Sequence, residues 1–488
     1  MPKAKKTSAS PVPSETNNPS VDIRMYFPGF GDCFLLTFQA DDGSPRHLLI
    51  DCGVFVGYRG GAERLNLIAQ DIAKVTNNHL HIVAVTHEHA DHINGFIDAN
   101  FHDIQIDDLW LAWTEDPTDT VARQLKAGNK THVEELTSAV NLMAQANHPS
   151  AEVLRGMLDF EVTSSGSDDN KSGLGYLKGK IRKQLRSSDY LRPGEPPLSI
   201  PGVDGVKVYV LGPPQNIAEI HNLERGDIYP KFAAFLEALK GRSAKVSSED
   251  ALSLQSCCPF DKRYGLIATE VKNDEFFSTK YGFSTDAAQG PEWRRIDEDW
   301  LDAASELALR IGEYTNNTSL VLALELPGLE PHKVLLFVGD AQVGNWLSWS
   351  DVHWDIETNG KKETITGEDL LRRTVFYKTG HHGSHNATLK TNGLELMDKS
   401  SLVSMIPVDE QWANKKAAKG FVFPAPKVLA GIEAQSQNRV LRSDKINTMP
   451  DILEKPDALD VSVWQDFLKH VKWDTNPDHL WIQYTVEG

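Results

Sequence analysis

The chain has 488 residues, of which 40% are hydrophobic and 24% charged, and its formal net charge is −18. These values indicate a globular protein with enough apolar surface for a sizeable core, and they exclude a fibrous or disordered chain. The longest apolar runs fall short of the roughly 20 residues that cross a bilayer, so no membrane span is expected. The acidic charge argues against a broad basic surface for nucleic acid.

The first residues are polar and rich in serine, proline and lysine. They lack the apolar segment of a secretory signal, so we predict a disordered tail at 1–20 and a cytoplasmic protein. The four cysteines show no spacing typical of a disulfide framework or a structural zinc site, and we expect reduced thiols. They are Cys33, Cys52, Cys257 and Cys258.

Strands and helices alternate after the tail. Residues 23–38 are typical of two strands around a Gly-Phe-Gly-Asp turn, and RHLLIDCG predicts a third strand that ends near Asp51. The β-branched run HIVAVTH predicts a buried strand, a helix is expected from about residue 92, and IDDLWLAWT returns to strand. This alternation predicts an α/β fold.

Two later segments differ from this core. Residues 116–200 combine a long helical stretch with a flexible and then a basic run, and residues 217–300 are irregular, charged and aromatic. Strands resume with SLVLALELPG, KVLLFVGDAQ and TVFYKTGHHGSH. We therefore predict one domain at 21–450 with two large insertions, followed by a Trp-rich C-terminal extension at 451–488.

Residues 84–96, AVTHEHADHINGF, contain the densest group of metal-binding residue types. Imidazole and carboxylate are ligands of divalent metals. His87 and His89 alternate, so an extended strand end directs both toward one ion, while Asp91 and His92 at the following turn reach a second ion. A polar loop with chance histidines is the alternative, and the complete H-x-H-x-D-H pattern after a buried strand disfavours it.

The chain resembles the metallo-β-lactamase superfamily, whose signature is H-x-H-x-D-H after a strand. Further segments are similar, in order, to the branch that includes the hydrolase domain of competence (DNA-uptake) proteins: FPGFGDCFLLTF, LLIDCG, HEHADHING, VLGPP, NNTSLVLAL, LLFVGDA, FYKTGHHGS and FPAPKVL. The similarity covers the core but neither insertion nor the extension. It implies a four-layered αββα sandwich with two divalent ions, zinc or manganese, at one edge of its two central sheets.

The resemblance also implies roles for residues outside the cluster. Asp51 supports the metal loop from behind the ligands, Asp340 bridges the two ions, and either His381 or His382 completes the second ion. Two positions depart from the pattern. Gly212 stands where many members supply a third histidine to the first ion, and Phe423 stands where relatives carry a histidine before a proline.

The implied activity is hydrolysis by a hydroxide that bridges two metal ions, and it suits a phosphodiester because the anionic oxygens seek cations. We expect a phosphodiesterase or nuclease in which Asp91 orients the hydroxide. Lys378, Ser384 and His385 would contact substrate phosphate or protonate the leaving group, unless they are ordinary loop residues.

Two other functions stay open. The same centre suits an amide, lactone or thioester hydrolase, and Gly212 with the long insertions favours a binding or regulatory protein whose catalysis has faded. The scattered histidines His132, His221 and His470 are assigned to surface or core, without a metal role.

Overall fold

The protein is described from a computed structural model. The described residues are 20–145, 155, 173–181, 185–221, 274–281, 312, 314–328, 330–358, 361–416, 422–449, 455, 457 and 459–488. Most of the predicted tail, Cys257 and Cys258, and most of the second predicted insertion lie outside them.

The described strands, numbered in chain order, are β1 Ser20–Tyr26, β2 Cys33–Gln39, β3 Pro45–Cys52, β4 His79–Ala84, β5 Gln105–Ala112, β6 Tyr190–Leu191, β7 Leu198–Ile200, β8 Val203–Gly212, β9 Val321–Glu325, β10 Val334–Phe337, β11 His353–Thr358, β12 Lys361–Thr366, β13 Thr374–Lys378, β14 Val403–Ile406, β15 Val440–Arg442, β16 Val471–Trp473 and β17 Trp481–Glu487. Predicted strands in the core segments are confirmed by β1 to β5, β8 to β10 and β13.

The described α-helices are α1 Gly61–Val75, α2 Ala90–Ile93, α3 Asp98–Phe101, α4 Thr120–Gln145, α5 Gly173–Lys180, α6 Ile217–Ile220, α7 Glu275–Tyr281, α8 Val343–Ser348, α9 Gly367–Arg372, α10 Glu410–Lys416, α11 Pro426–Ser436 and α12 Val461–Lys469. In α1 the buried residues Leu65, Ile68 and Ile72 recur at helical spacing, which places one face of the helix on the core. The predicted α/β class is confirmed.

The strands form two large sheets and a hairpin. One sheet has eight strands in the order β16-β17-β1-β2-β3-β4-β5-β6, and the other has seven in the order β15-β14-β13-β10-β9-β8-β7. Strands β3 to β6 are parallel to one another, as are β10, β13, β14 and β15. Strands β11 and β12 pair only with each other among the described strands.

One hydrophobic cluster joins the two sheets. It contains Leu36 and Ile50 of the eight-stranded sheet together with Leu324 and Phe337 of the seven-stranded sheet. Alternate residues point the other way, as the two-residue period of a strand requires. A second cluster combines the remaining face of the eight-stranded sheet with α1 and α5, and a third combines the remaining face of the seven-stranded sheet with α8, α9 and α11.

Segments predicted as peripheral supply strands to both sheets. Residues 116–200 contribute β6, which pairs with β5, and β7, which pairs with β8. Residues 471–487, within the predicted C-terminal extension, supply β16 and β17, and β17 pairs with β1 over seven residues. The domain boundaries themselves stay predictions.

Two further expectations concern the membrane and the thiols. Among the described residues, no helix combines the length and apolarity needed to cross a bilayer. Cys33 and Cys52 are buried free thiols that lie opposite each other in the register of β2 and β3.

Candidate metal centre

Polar residues from both sheets meet where parallel strands end. Asp51 lies at the carboxyl end of β3, and the loop after β4 carries His87 to His92. In the other sheet, Asp340 follows β10 and the double histidine follows β13. Parallel neighbours bring their carboxyl ends to the same edge, and the backbone N–H of Leu320 donates to the carbonyl of Thr86, which ties the two edges together at 2.8 Å.

Four buried residues form a group of the size that holds one metal ion. Asp91, His92, Asp340 and His382 each offer one ligand atom, and these atoms all lie within 4.8 Å of one another. His92 Nε2 is 3.3 Å from Asp340 Oδ2, and His382 Nε2 is 3.1 Å from Asp91 Oδ2. The predicted presence of buried histidines and aspartates that can hold a metal is therefore confirmed.

Both imidazoles in this group are held from behind by an acceptor. His92 Nδ1 donates to Asp51 Oδ2 at 2.8 Å, and His382 Nδ1 donates to the carbonyl of Pro407 at 2.7 Å. Because each acceptor holds a proton on Nδ1, Nε2 is the ring nitrogen that faces the group and would coordinate a metal after losing its own proton. A ligand histidine anchored through its other nitrogen is the usual arrangement at metal sites.

Buried polar atoms in the group lack hydrogen bonds. Asp91 Oδ1, Asp340 Oδ1 and His92 Nε2 are buried and have no hydrogen-bond partner in the described part of the chain. Buried polar atoms of this kind are costly unless something satisfies them. A bound cation would satisfy all three, so the donor set fits a divalent metal.

The charges of the group also favour a cation. Asp32, Asp51, Asp91 and Asp340 are buried together, with Lys378 as the nearby ammonium. Burial lowers the pKa of His92, but Asp340, Asp91, Asp51 and Asp32 outweigh burial and raise its pKa well above the usual value. Burial raises the pKa of Asp340, but His92 and His381 outweigh burial and hold this pKa well below the ordinary range.

His87 and His89 lie beside this group but outside its four members. His87 Nε2 is 3.0 Å from His89 Nδ1, near the ~3.3 Å that separates two nitrogens on one tetrahedral zinc with bonds of about 2.05 Å. Burial, with His92 and His89, lowers the pKa of His87 well below its usual value, which keeps the imidazole neutral. A separate ion on these two histidines stays a prediction.

The double histidine occupies a strained turn. His381, His382 and Gly383 all have positive φ, at 44°, 52° and 82°, and such angles cost energy for residues with a side chain. His382 is fully buried and belongs to the ligand group, whereas His381 is 25% exposed and its Nε2 lies 3.8 Å from Asp340 Oδ2. The geometry favours His382 as the ligand.

The sequence prediction did not assign Asp32 to the site. Asp32 contacts Lys378 in a buried ion pair and lies 3.6 Å from His382 Nδ1 and 3.8 Å from His92 Nδ1. It belongs to a second metal-sized group with Asp51 and His92. The available signal was the GFGD segment, in which the acidic residue directly precedes β2.

Lys378 is buried between carboxylates. Its Nζ donates to the carbonyl of Gly339 at 2.7 Å, pairs with Asp32 and lies 3.6 Å from Asp340 Oδ1. Burial lowers the pKa of Lys378, but Asp32 and Asp340 outweigh burial and raise it. The side chain is 3% exposed, so it is placed to hold carboxylates, and the predicted contact with substrate stays a prediction.

Ser384 is linked through two amides to His381, which lies beside the ligand group. Its hydroxyl donates to Asn386 Oδ1 at 3.0 Å, Asn386 Nδ2 donates to Gln342 Oε1 at 3.0 Å, and Gln342 Nε2 lies 3.4 Å from His381 Nδ1. His385 is exposed. The predicted catalytic role of Ser384 stays a prediction.

Glycine permits a close backbone approach beneath the metal loop. A Cβ on Gly53 would lie 2.4 Å from the carbonyl carbon of Asp91 and 2.5 Å from the backbone N of His92. Gly53 directly follows β3, so the absence of a side chain lets the short helix α2 rest on the end of that strand. The position of two ligand-bearing residues thus depends on this glycine.

The two departures from the family pattern occupy defined environments. A Cβ on Gly212 would lie 2.1 Å from Asn345 Oδ1, and Asn345 Nδ2 donates to the carbonyls of Asn317 and Ser319. No histidine fits at 212 while Asn345 keeps this place. Phe423 packs edge-on near His381, with ring centroids 6.0 Å apart.

Ser319 is a further contact that the sequence did not single out. Its Oγ accepts the backbone N–H of Asp340 at 3.1 Å and lies 3.4 Å from His87 Nδ1. It therefore joins the loop of Asp340 to the H-x-H pair.

Comparison with protein families, curated proteins and solved structures finds no match to this chain.

Proposed function

We propose that the protein is a metal-dependent hydrolase of the metallo-β-lactamase type and that its substrate is a phosphodiester. The observation that carries the proposal is the buried group of Asp91, His92, Asp340 and His382, whose ligand atoms lie within 4.8 Å of one another and include atoms without a hydrogen-bond partner among the described residues. In the described clusters, helices pack on the eight-stranded sheet, the two sheets pack on each other, and the seven-stranded sheet packs on further helices. This order of layers supports the four-layered αββα sandwich that the family implies.

The residues of the chain divide into holding and orienting roles. Asp91, His92, Asp340 and His382 would hold the ion, zinc or manganese, while Asp51 and the Pro407 carbonyl keep the two imidazoles in place. Lys378 and the Ser319 hydroxyl fix Asp340 through its carboxylate and its backbone N–H. His87 and His89 offer two converging nitrogens for a second ion.

A divalent ion at such a site lowers the pKa of water from 15.7 to about 7 and offsets charge on phosphate oxygens. The segments that resemble the DNA-uptake branch favour a phosphodiester over an amide, lactone or thioester. The net charge of −18 disfavours a long polyanion and favours a small substrate.

Asp340→Asn tests the proposal. We expect purified wild-type protein to contain zinc or manganese and to hydrolyse bis(4-nitrophenyl) phosphate, and the variant to lose at least roughly 100-fold in turnover because removal of a ligand carboxylate costs several kcal/mol of charge stabilisation. Asp351→Asn, at an exposed aspartate, is the matched control.

Equal turnover by wild-type protein and the Asp340 variant contradicts the proposal. Preferential hydrolysis of a β-lactam amide in a parallel assay would assign the centre to amides instead. Less than one ion per chain, not restored by added metal, would support a binding protein without catalysis.

A further inference from the structure

A cavity of about 260 Å³ lies beside the metal loop, and none of the four residues of the ligand group lines it. Its lining includes Glu88, which stands between His87 and His89 in the chain, together with residues of α4 from the predicted first insertion. An engineered dry cavity of about 150 Å³ holds benzene, so this space can accept a two-ring group.

The charges around the cavity disfavour a phosphate. Lys126 is the one lysine or arginine among the described lining residues, and its ammonium is 2.6 Å from Glu115 Oε2 and 3.6 Å from Glu88 Oε2. Two carboxylates thus oppose one ammonium. An anion would meet an acidic wall whose cation is already paired, so the cavity suits an uncharged group.

Two polar side chains of the lining indicate whether an occupant should donate or accept hydrogen bonds. Thr114 and Asn129 both line the cavity, and both Thr114 Oγ1 and Asn129 Oδ1 are buried with no hydrogen-bond partner among the described residues. The Asn129 amide nitrogen donates to Thr315 Oγ1 at 3.3 Å, which leaves the oxygen to accept. Asn129 Oδ1 can only accept, so an occupant that donates a hydrogen bond satisfies it, and an ionised phosphate does not, while the Thr114 hydroxyl can donate or accept.

Flat and apolar surfaces complete the lining. The rings of His221 and Tyr314 have centroids 4.7 Å apart, and burial lowers the pKa of His221, so its ring is favoured as neutral. Leu125 and Ile220 contribute apolar contacts from α4 and α6. Planar heteroaromatic rings stack on such surfaces and gain free energy from their burial.

We infer that this cavity binds an amino-bearing nucleobase, which makes the substrate of the neighbouring centre a small nucleotide phosphodiester. The assignment of a substrate rests on the proposed function, whereas binding of the base does not. The exocyclic amine can donate to Asn129 Oδ1, and the ring system fills the apolar part of the cavity.

Calorimetric titration of the full chain with adenosine tests the inference without any turnover. We expect saturable binding of one adenosine per chain and no binding of ribose 5-phosphate, which has the sugar and phosphate but lacks the base. Asn129→Leu should weaken adenosine binding at least roughly tenfold, because it removes one buried acceptor at similar volume. Asn141→Leu makes the same substitution at an exposed position of α4 and should bind like wild-type protein.

Leu125→Trp supplies a second, independent variant that fills the cavity and should abolish binding. Unfolding temperatures establish that each variant is folded. Absence of adenosine binding by wild-type protein, or unchanged binding by both variants, overturns the inference. Equal competition by putrescine also overturns it, because it would show that the cavity selects positive charge. Adenosine binding without phosphodiester hydrolysis would remove the proposed function and leave the base site standing.

Discussion

Individual residues at the centre were predictable only where the signal is local. His87, His89, Asp91 and His92 stand within six positions of one another, so their spacing alone indicates metal chemistry. Asp32 stands far from this cluster in the sequence, and its only local signal is the GFGD segment, because its place in the group depends on the pairing of β2 with β3. The assignment of His382 rather than His381 as the ligand depends on the geometry of the turn, which the sequence of two adjacent histidines does not specify.

Lys378 offers a prediction at this scale. Lys378→Met leaves Asp32 buried without its ammonium, and loss of one partner of a buried ion pair costs about 3–5 kcal/mol in the free energy of unfolding. Urea unfolding followed by circular dichroism measures the loss. Asp32→Asn in the same chain should recover much of it, since the uncompensated charge is then gone. Unchanged stability with reduced turnover would instead show that Lys378 acts on substrate.

At the scale of elements, apolar runs predicted the central strands, whereas short or polar strands escaped prediction. β6 has two residues and β12 reads KKETIT, so neither shows an apolar pattern of useful length. β17 has apolar residues but was placed in an extension, because its partner β1 lies at the far end of the chain. Pairing across long sequence separations is set by the whole core, not by local composition.

The turn after β13 allows a matched comparison of its two histidines. His381→Gly and His382→Gly both relieve left-handed strain of roughly 1–2 kcal/mol, which offsets glycine's greater freedom in the unfolded chain, up to roughly 1 kcal/mol. His382→Gly also removes a buried, hydrogen-bonded ring, so we expect it to be the less stable of the two metal-free variants, and zinc affinity is measured where both are folded. Zinc affinity, measured by competition with a chromophoric chelator, should fall at least roughly tenfold only for His382→Gly. A larger fall for His381→Gly would contradict the assignment of His382.

At the scale of the whole molecule, stability should depend on pH through histidines outside the metal centre. Burial, with the neighbouring His81, His79 and Arg46, lowers the pKa of His47 to about 4, and burial with His79 and Arg46 lowers that of His81 to about 4. An unfolded histidine takes a proton near pH 6.5. Between these values the unfolded chain binds more protons, so the free energy of unfolding falls as pH drops from about 6.5 to 4.

Urea unfolding at pH 7 and pH 5 checks this expectation. His47→Gln should show a smaller decrease between the two pH values than wild-type protein, whereas His102→Gln, at an exposed position, should show the same decrease. Parallel behaviour of all three proteins would mean that His47 is as accessible to protons in the folded state as in the unfolded chain.

The placement of β17 between β16 and β1 has a consequence for biosynthesis. On the ribosome, residues 20–26 emerge long before residues 481–487, so β1 cannot pair with β17 until translation is nearly finished. During that interval its unpaired edge is open to other nascent chains, which makes it a natural target for a chaperone. A premature stop codon before residue 481 would therefore leave this edge permanently uncovered, although every proposed metal ligand had already been translated.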